Sequence, residues 1–384
     1  ETAAGAAGMI QLWGRAFVAG AIRDRMLITI EDSQIAEIRE APQAPGDASV
    51  VHDLIAPGFI DIHVHGGDGA DFMDGAEEAV ARVSSFHARN GTTALAATTL
   101  SASHSDIRDA VTTIARVSHS SRQAAEICAI HLEGPYISAK RAGAQSTDSV
   151  RPADIQEIAA LLNEASHLRW IITLAPEIEG VRALIEHFRG RIIFSVGHTS
   201  ADYSEAVAAL EWGATHFTHL FNAMTGMHHR EPGVVGAALV SIAATAELIA
   251  DGLHVHPAVL RVATLAMPNR IALITDAVRA AGMPRGNYKL YDQQFSVSES
   301  GGARLSDGTL AGSTLTMNRA VQNMVELAGL PIEMVLPMAT EVPARILGIA
   351  DRKGRIAAGY DADLVVLTPK FDVSRVFVRG RELK

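Results

Sequence analysis

From residue 57 onward, short apolar runs alternate with longer stretches whose apolar positions recur every three or four residues. The short runs have the composition of strands buried on both faces, and the longer stretches that of amphipathic helices. The pattern predicts strands at 59–64, 93–98, 127–132, 170–174, 192–196, 215–219, 247–250 and 271–275. Helices are predicted after most of them, at 76–89, 105–118, 152–165, 177–189, 201–212 and 257–266. Eight such repeats predict an α/β fold of the (β/α)8, TIM-like barrel type; a doubly wound open sheet obeys the same alternation. Ahead of this region the pattern shortens to β runs at 14–18, 26–30 and 34–38, and beyond it to runs at 354–356, 363–367 and 375–378. Neither end carries enough strand for a sheet of ordinary size, so the two are expected to pair into one small β-sandwich module. The expected organisation is a β module from 9–56 and 345–384 beside a barrel at 57–344, with the Ala/Gly-rich residues 1–8 an expression remnant or disordered leader.

A buried parallel strand tolerates charged or imidazole side chains only where they pair or bind a metal. Here such residues recur at the C-terminal ends of predicted strands. His63 and His65 close the first, His131 and Glu133 the third, His198 the fifth and His219 the sixth; Asp251 and His254 follow the seventh, and Asp276 ends the eighth. That end is where barrel enzymes carry their catalytic groups. His63 and His65 stand two apart, so a strand points both to one face, as chelation requires. Each residue also has a bland alternative: Glu133 and Asp276 as backbone caps, His198 beside the capping residues Thr199 and Ser200, His219 as a core histidine bonded to backbone. Convergence on one end of the barrel favours a common site over separate coincidences. The other polar signals are quieter. His87, His104, His119, His167 and His187 fall on predicted helices or loops and are expected in solvent. Met317, Met324, Met334 and Met338 are expected in helix cores, and Cys128 as an inert core thiol. No phosphate loop, dinucleotide fingerprint or nucleophile elbow accompanies a strand.

Composition narrows the class. The 384 residues carry 33 Lys+Arg against 43 Asp+Glu, a formal charge of −10, so no basic excess recommends nucleic acid as a partner. At 48% hydrophobic and 20% charged the chain can bury a sizeable core, and no apolar run approaches a bilayer span. A single cysteine excludes a disulfide framework and fits a reducing compartment, so a cytoplasmic protein is expected. Sixteen histidines against that one cysteine mean that a transition metal would be held by imidazole and carboxylate.

Several segments together carry a resemblance. They are Pro57-Gly58-Phe59-Ile60-Asp61-Ile62-His63-Val64-His65-Gly66, His131-Leu132-Glu133-Gly134-Pro135, Gly197-His198-Thr199, Thr218-His219-Leu220-Phe221-Asn222-Ala223-Met224, Arg230-Glu231-Pro232-Gly233, Asp251-Gly252-Leu253-His254, Thr275-Asp276-Ala277 and Leu310-Ala311-Gly312-Ser313. With them the chain resembles the amidohydrolase superfamily and, within it, the N-acetylglucosamine-6-phosphate deacetylases. The resemblance covers nearly everything from Met9 onward. It implies hydrolysis of the acetamide of N-acetylglucosamine 6-phosphate to glucosamine 6-phosphate and acetate, in amino-sugar catabolism. Another acetamido sugar phosphate, such as N-acetylgalactosamine 6-phosphate, is the alternative substrate, and a catalytically silent scaffold the remaining one. Carried over position by position, Glu133, His198 and His219 would hold one divalent ion, and His63 and His65, with Glu133 bridging, a second; zinc and iron both suit such ligands. Asp276 would take a proton from the attacking water and deliver it to the leaving amine. Ala144, Gln145, Asn222, Ala223, Arg230, His254, Leu310, Ala311 and Gly312 would position the sugar phosphate. Arg230 would act across the interface of a homodimer. One departure stands in the loop after the third strand: many family members have Gly-Ala-His, and here Gly143-Ala144-Gln145 replaces it, an amide that donates hydrogen bonds but carries no charge.

The chemistry agrees from below. Amide hydrolysis needs a strong nucleophile and a protonated leaving amine. A divalent ion lowers the pKa of water toward about 7, and one carboxylate can serve as base and then as acid.

Overall fold

The computed structural model describes residues 9–118, 124–298 and 301–383; the expectations for residues 1–8 and for His119 fall outside them. Eight parallel strands, Phe59–Val64, Thr92–Thr99, Glu126–Glu133, Arg169–Leu174, Ile193–Val196, His216–Phe217, Thr245–Ile249 and Ile271–Ile274, neighbour one another in chain order. Helices Glu77–Arg89, His104–Ser118, Ile155–Glu164, Val181–Phe188, Tyr203–Trp212, Gly233–Val240, Pro257–Ala266 and Met317–Glu326 return the chain between strands and after the last. This is a (β/α)8 barrel, and its core is the interior plus the strand–helix interface. Every residue of Phe59–Val64 is buried, the signature of a strand covered on both faces.

The ring closes through polar groups. Asp276 N donates to His63 O at 2.9 Å, and the Asp61 carboxylate accepts from Thr275 Oγ1 at 2.6 Å and Thr275 N at 3.3 Å. Burial pushes the Asp61 carboxyl up to about 7 against those two hydrogen bonds. The sixth strand is shorter than the expected 215–219. Thr218 leaves the ladder and turns its hydroxyl to Thr173 at 2.6 Å and Ser195 at 2.5 Å, satisfying three buried hydroxyls together.

The chain ends meet in one sheet. Strands Ile10–Val18, Ala21–Glu31, Gln34–Glu40 and Ser49–Pro57 combine with Leu364–Leu367, Val373–Val378 and Arg381–Glu382 into seven strands. Alternation divides their side chains: Leu364, Val366 and Phe377 enter a separate apolar cluster, whereas Val365, Leu367, Val376 and Val378 join the barrel's. The run at 354–356 is not a strand. Gly354 turns the chain at φ +89°, where a Cβ would lie 2.8 Å from the Thr340 carbonyl, and only Ile356 reaches the core.

An element absent from the expected pattern is a small antiparallel sheet, Gly286–Leu290, Gln293–Val297 and Ala303–Arg304, inserted after the eighth strand. It brings Leu290 and Leu310 over the C-terminal end of the barrel, where both line a cavity of about 490 Å³. Larger cavities of about 1050 and 820 Å³ lie against the seven-stranded sheet, away from the converging histidines.

Candidate active site

The cavity over the C-terminal strand ends has imidazoles and carboxylates for its floor. His63 and His65 alternate with Ile62 and Val64 on the first strand, so both rings face the barrel axis. Glu133 ends the third strand. His198, His219 and Asp276 follow the fifth, sixth and eighth, each with left-handed backbone, at φ +47°, +27° and +48°. That conformation costs an L-residue roughly 1–2 kcal/mol. Its use here is to break the strand and swing the side chain inward, the kind of strain that collects at functional sites.

Glu133 is the centre. Its Oε1 lies 3.3 Å from His63 Nε2, 3.0 Å from His198 Nε2 and 3.1 Å from His219 Nε2, and its Oε2 lies 3.3 Å from His65 Nε2. Asp276 Oδ1 stands 3.2 Å from His65 Nε2 and 3.6 Å from His63 Nε2. The rings crowd one another as well, with Nε2 atoms 3.0 Å apart between His198 and His219 and 3.3 Å apart between His63 and His65. Burial opposes charge on His63, His65, Glu133, His198 and Asp276, and their mutual attraction outweighs it. His65 is pushed up to about 9 by hydrogen bonds and charge from Asp276 and Glu133. His63 is held well above its ordinary range by Glu133 and Glu247, while Glu133 and Asp276 are held low by the histidines.

The donor set fits a divalent cation. His198 Nδ1 lies 2.8 Å from the Arg141 carbonyl, and His63 Nδ1 lies 2.9 Å from Glu247 Oε2. Both contacts anchor Nδ1 as a donor and turn Nε2 toward a Glu133 oxygen. A cation held between them would take the Nε2 lone pair in place of a proton. Three groupings among the described residues have ligand atoms close enough to share an ion: His63, His65 and Glu133; Glu133, His198 and His219; and, beneath them, His63, His131 and Glu247.

Most of the expected substrate residues gather above this floor. Ala144, Gln145, Asn222, Ala223, His254, Leu310 and Gly312 line the cavity. His254 Nδ1 pairs with Asp251 Oδ2 at 2.7 Å. The loop bearing Leu310 and Gly312 is tied beside Asp276 by Ser313 N donating to Asp276 O at 2.8 Å. Gly312 is required there: at φ +65°, a Cβ would meet Val278 Cγ1 at 2.5 Å. Two expected residues are not brought together with the rest. Ala311 is wholly buried beneath the cavity wall, and Arg230 is exposed on a loop, its guanidinium beside His229 at 2.7 Å.

Gln145 lines the cavity, and its amide also bonds within the protein. Its Nε2 donates to Glu133 Oε2 at 2.7 Å and its Oε1 accepts from Ser101 N at 2.7 Å, so both ends of the amide are engaged by protein. His87 is also not in solvent. It is fully buried, with Nε2 bonded to the Gly66 carbonyl at 2.9 Å, and burial lowers its pKa to about 4. Met334 is exposed rather than in the core, whereas Met317, Met324 and Met338 are buried. Cys128 is buried, its thiol pushed up to about 12 by burial, in keeping with an inert role.

The residues to which sequence reasoning gave no role are Glu247, His131 and His216 beneath the floor, and Lys140 and Arg141 at the cavity wall. The signal for Glu247 was a lone carboxylate within an otherwise apolar strand, Thr245–Ile249.

A parallel barrel with a His/Glu/Asp cluster at its strand C-termini defines a class of hydrolases, and the chain belongs to the amidohydrolase family, whose model matches residues 54–383. It is 41% identical over 362 residues to the N-acetylglucosamine-6-phosphate deacetylase of Bacillus subtilis, covering 92% of this chain and 91% of that one. It is 37% identical over 355 residues to the N-acetylgalactosamine-6-phosphate deacetylase of Escherichia coli, covering 92% and 93%. Among solved structures, N-acetyl-D-glucosamine-6-phosphate deacetylase of Mycobacterium smegmatis, in complex with N-acetyl-D-glucosamine-6-phosphate, superposes with a TM-score of 0.92 at 34% identity, covering 98% of this chain and 100% of that one.

Proposed function

We propose that this chain hydrolyses the acetamide of N-acetylglucosamine 6-phosphate, releasing acetate and glucosamine 6-phosphate. The observation that carries the reading is Asp276, poised 3.2 Å from His65 Nε2 at the floor of a cavity of about 490 Å³, a size suited to one sugar phosphate. Glu133, His198 and His219 would hold one divalent cation and His63, His65 and Glu133 a second, zinc or iron. Such ions supply Lewis acidity, polarising a carbonyl and acidifying water. The rest falls to the chain's own residues. Asp276, held as a carboxylate by the neighbouring histidines, accepts the proton of the attacking water as the carbon–oxygen bond forms. It then donates that proton to the amide nitrogen as the carbon–nitrogen bond breaks, so the amine leaves neutral. Asn222, its side chain braced on the His219 carbonyl at 3.2 Å, and the Leu310–Gly312 loop orient the sugar.

The phosphate needs local cations in a chain of net charge −10. Lys140 and Arg141 supply them at the cavity wall, and His254 lines the same cavity. Arg230 lies outside its own chain's cavity, which suits a role in the site of a second copy. Exposed apolar side chains on the elements that follow it in the chain support such a homodimer: Met227 in the Arg230 loop, Val240 and Ile242 at the end of helix Gly233–Val240, and Val262 and Leu265 on helix Pro257–Ala266. The match to the N-acetylgalactosamine-6-phosphate enzyme keeps the galacto epimer as a second substrate. Assay against both epimers, with and without phosphate, separates the readings; equal turnover of the unphosphorylated sugars would remove the phosphate from the proposal.

Asp276→Asn tests the mechanism. It should retain cation and substrate binding while kcat falls about 10²–10⁴-fold, because a carboxamide cannot relay a proton. A kcat near that of the wild type would reassign the base.

A further inference from the structure

We propose that Glu247, which has no part in the reaction outlined above, is the positioning residue that builds the His63/His65 half of the cation centre and locks it to the His219 half. The inference rests on the two-cation reading just given. Glu247 lies inside the seventh strand, fully buried beneath the floor of the cavity. A carboxylate in a barrel interior is costly unless donors surround it, so its partners define its task. Oε2 takes His63 Nδ1 at 2.9 Å and the backbone N–H of His219 at 3.0 Å, and Oε1 takes His216 Nε2 at 3.3 Å. The backbone carbonyl of Glu247 accepts from Leu220 N at 2.9 Å.

Two consequences follow from those contacts. The first concerns the His63 proton. With Nδ1 donating to Glu247, the neutral ring presents a free Nε2 lone pair to the space shared with His65 Nε2, 3.3 Å away, and Glu133 Oε1, also 3.3 Å away. Without the carboxylate, the proton can move to Nε2 and donate to Glu133, closing that nitrogen to a cation. The second concerns His219, whose backbone sits at φ +27°. The same Glu247 oxygen that orients His63 fixes the peptide N–H of His219, and the Glu247 carbonyl fixes the next one. One residue thus sets a ligand side chain of one half and the backbone of a ligand of the other. His131 does not turn this group into a third cation site. Its Nδ1 is engaged by the Ile62 carbonyl at 2.9 Å and its Nε2 by Thr173 Oγ1 at 2.7 Å, leaving no lone pair to share.

The test titrates metal-free wild type, His63→Ala and Glu247→Gln with Zn²⁺, reading bound equivalents by equilibrium dialysis and elemental analysis. The His63 ring is read in the Zn²⁺-loaded proteins by ¹⁵N NMR, which distinguishes the metal-bound nitrogen from the protonated one. Glu247→Gln should bind its first ion within about twofold of wild type and its second about 10–100-fold more weakly, the range expected when a partner behind a ligand is lost. Loaded wild type should carry the His63 proton on Nδ1 and the ion on Nε2. If the second affinity of Glu247→Gln stays within twofold of wild type while His63→Ala loses that ion, the positioning role is overturned and the two-cation reading survives. If wild type saturates at one equivalent and His63→Ala does the same, the two-cation reading falls and this inference with it. Should Glu247→Gln fail to fold, wild type alone decides: a Zn²⁺-loaded His63 that carries its proton on Nε2 and the ion on Nδ1 overturns the proposal.

Discussion

Gln145 occupies the position at which family resemblance suggests a histidine facing the substrate, yet its amide joins Ser101 N to Glu133 Oε2. An imidazolium at that place could offer a charge to a carbonyl; a buried amide that is bonded at both ends works on the ligand carboxylate instead. Gln145→Ala removes the donor to Glu133 and leaves Ser101 N without its acceptor, in a region with no easy access for water. Unfolding by denaturant should show a loss of about 1–3 kcal/mol, the usual cost of stranding a buried partner. A loss below about 0.5 kcal/mol, with KM raised instead, would return Gln145 to the substrate side. The same scale shows what the sequence makes legible. His63, His65, Glu133, His198, His219 and Asp276 stand out because polar groups at the ends of apolar strands are conspicuous. Glu247 lacks that position, and nothing nearby in sequence marks the His63 and His219 contacts that explain it. The burial of His87 was readable in principle. Val80, Val83 and His87 recur at helical spacing along the buried face of Glu77–Arg89, so the ring sits on the apolar stripe.

Strands and helices were legible for a related reason. A strand covered on both faces is a continuous apolar run, so all eight barrel strands begin and end within about two residues of the pattern's limits. The inserted sheet was not, because Gly286–Leu290 and Gln293–Val297 are largely exposed and carry no apolar run to announce them. The ionic part of the join between barrel and end sheet was equally hidden. Lys353, buried to 2% exposure, reaches Glu126 at the start of the third barrel strand at 2.9 Å, Asp361 at 3.0 Å and Asp363 at 2.5 Å. Burial would raise the Glu126 carboxyl, but Lys353 and Arg352 hold it down to about 2. A carboxylate whose folded pKa lies below its ordinary 4.5 contributes stability above that pH and loses it as pH falls through the window toward 2. Burial raises the Asp363 carboxyl and pulls the other way, yet Lys353 favours the charged form of both groups. Lys353→Met should therefore cost roughly 3–5 kcal/mol at pH 7, the range for breaking a buried pair, and the deficit should shrink as pH falls below about 4.5. Denaturant unfolding of both proteins from pH 7 to pH 3 reads the difference. A deficit that stays constant with pH would mean that the ammonium acts through packing alone.

For the whole molecule, the decisive geometry is that Arg230 is absent from the cavity of its own chain, while Met227 on its loop and Val240, Ile242, Val262 and Leu265 along the next two helices leave apolar surface exposed. An isologous dimer would cover that apolar patch and carry each Arg230 toward the opposite cavity, supplying the cation a phosphate needs. Asp276→Asn and Arg230→Ala homodimers should then both be nearly inactive for different reasons. In a hybrid, the Arg230→Ala chain keeps its Asp276 and borrows Arg230 from its partner, so one site is whole and the other is doubly broken. Random reassortment makes hybrids about half of all dimers, each with one working site of two, so activity should recover to about a quarter of wild type. Subunit exchange followed by assay at low salt makes the measurement, with native mass spectrometry counting the hybrids. An arginine acting within its own chain would leave every site in the mixture defective, and demonstrably mixed dimers without recovered activity would refute the shared site. Rising ionic strength should weaken recovered and wild-type activity alike through KM, because the charges that draw the phosphate in are screened within about 8–10 Å.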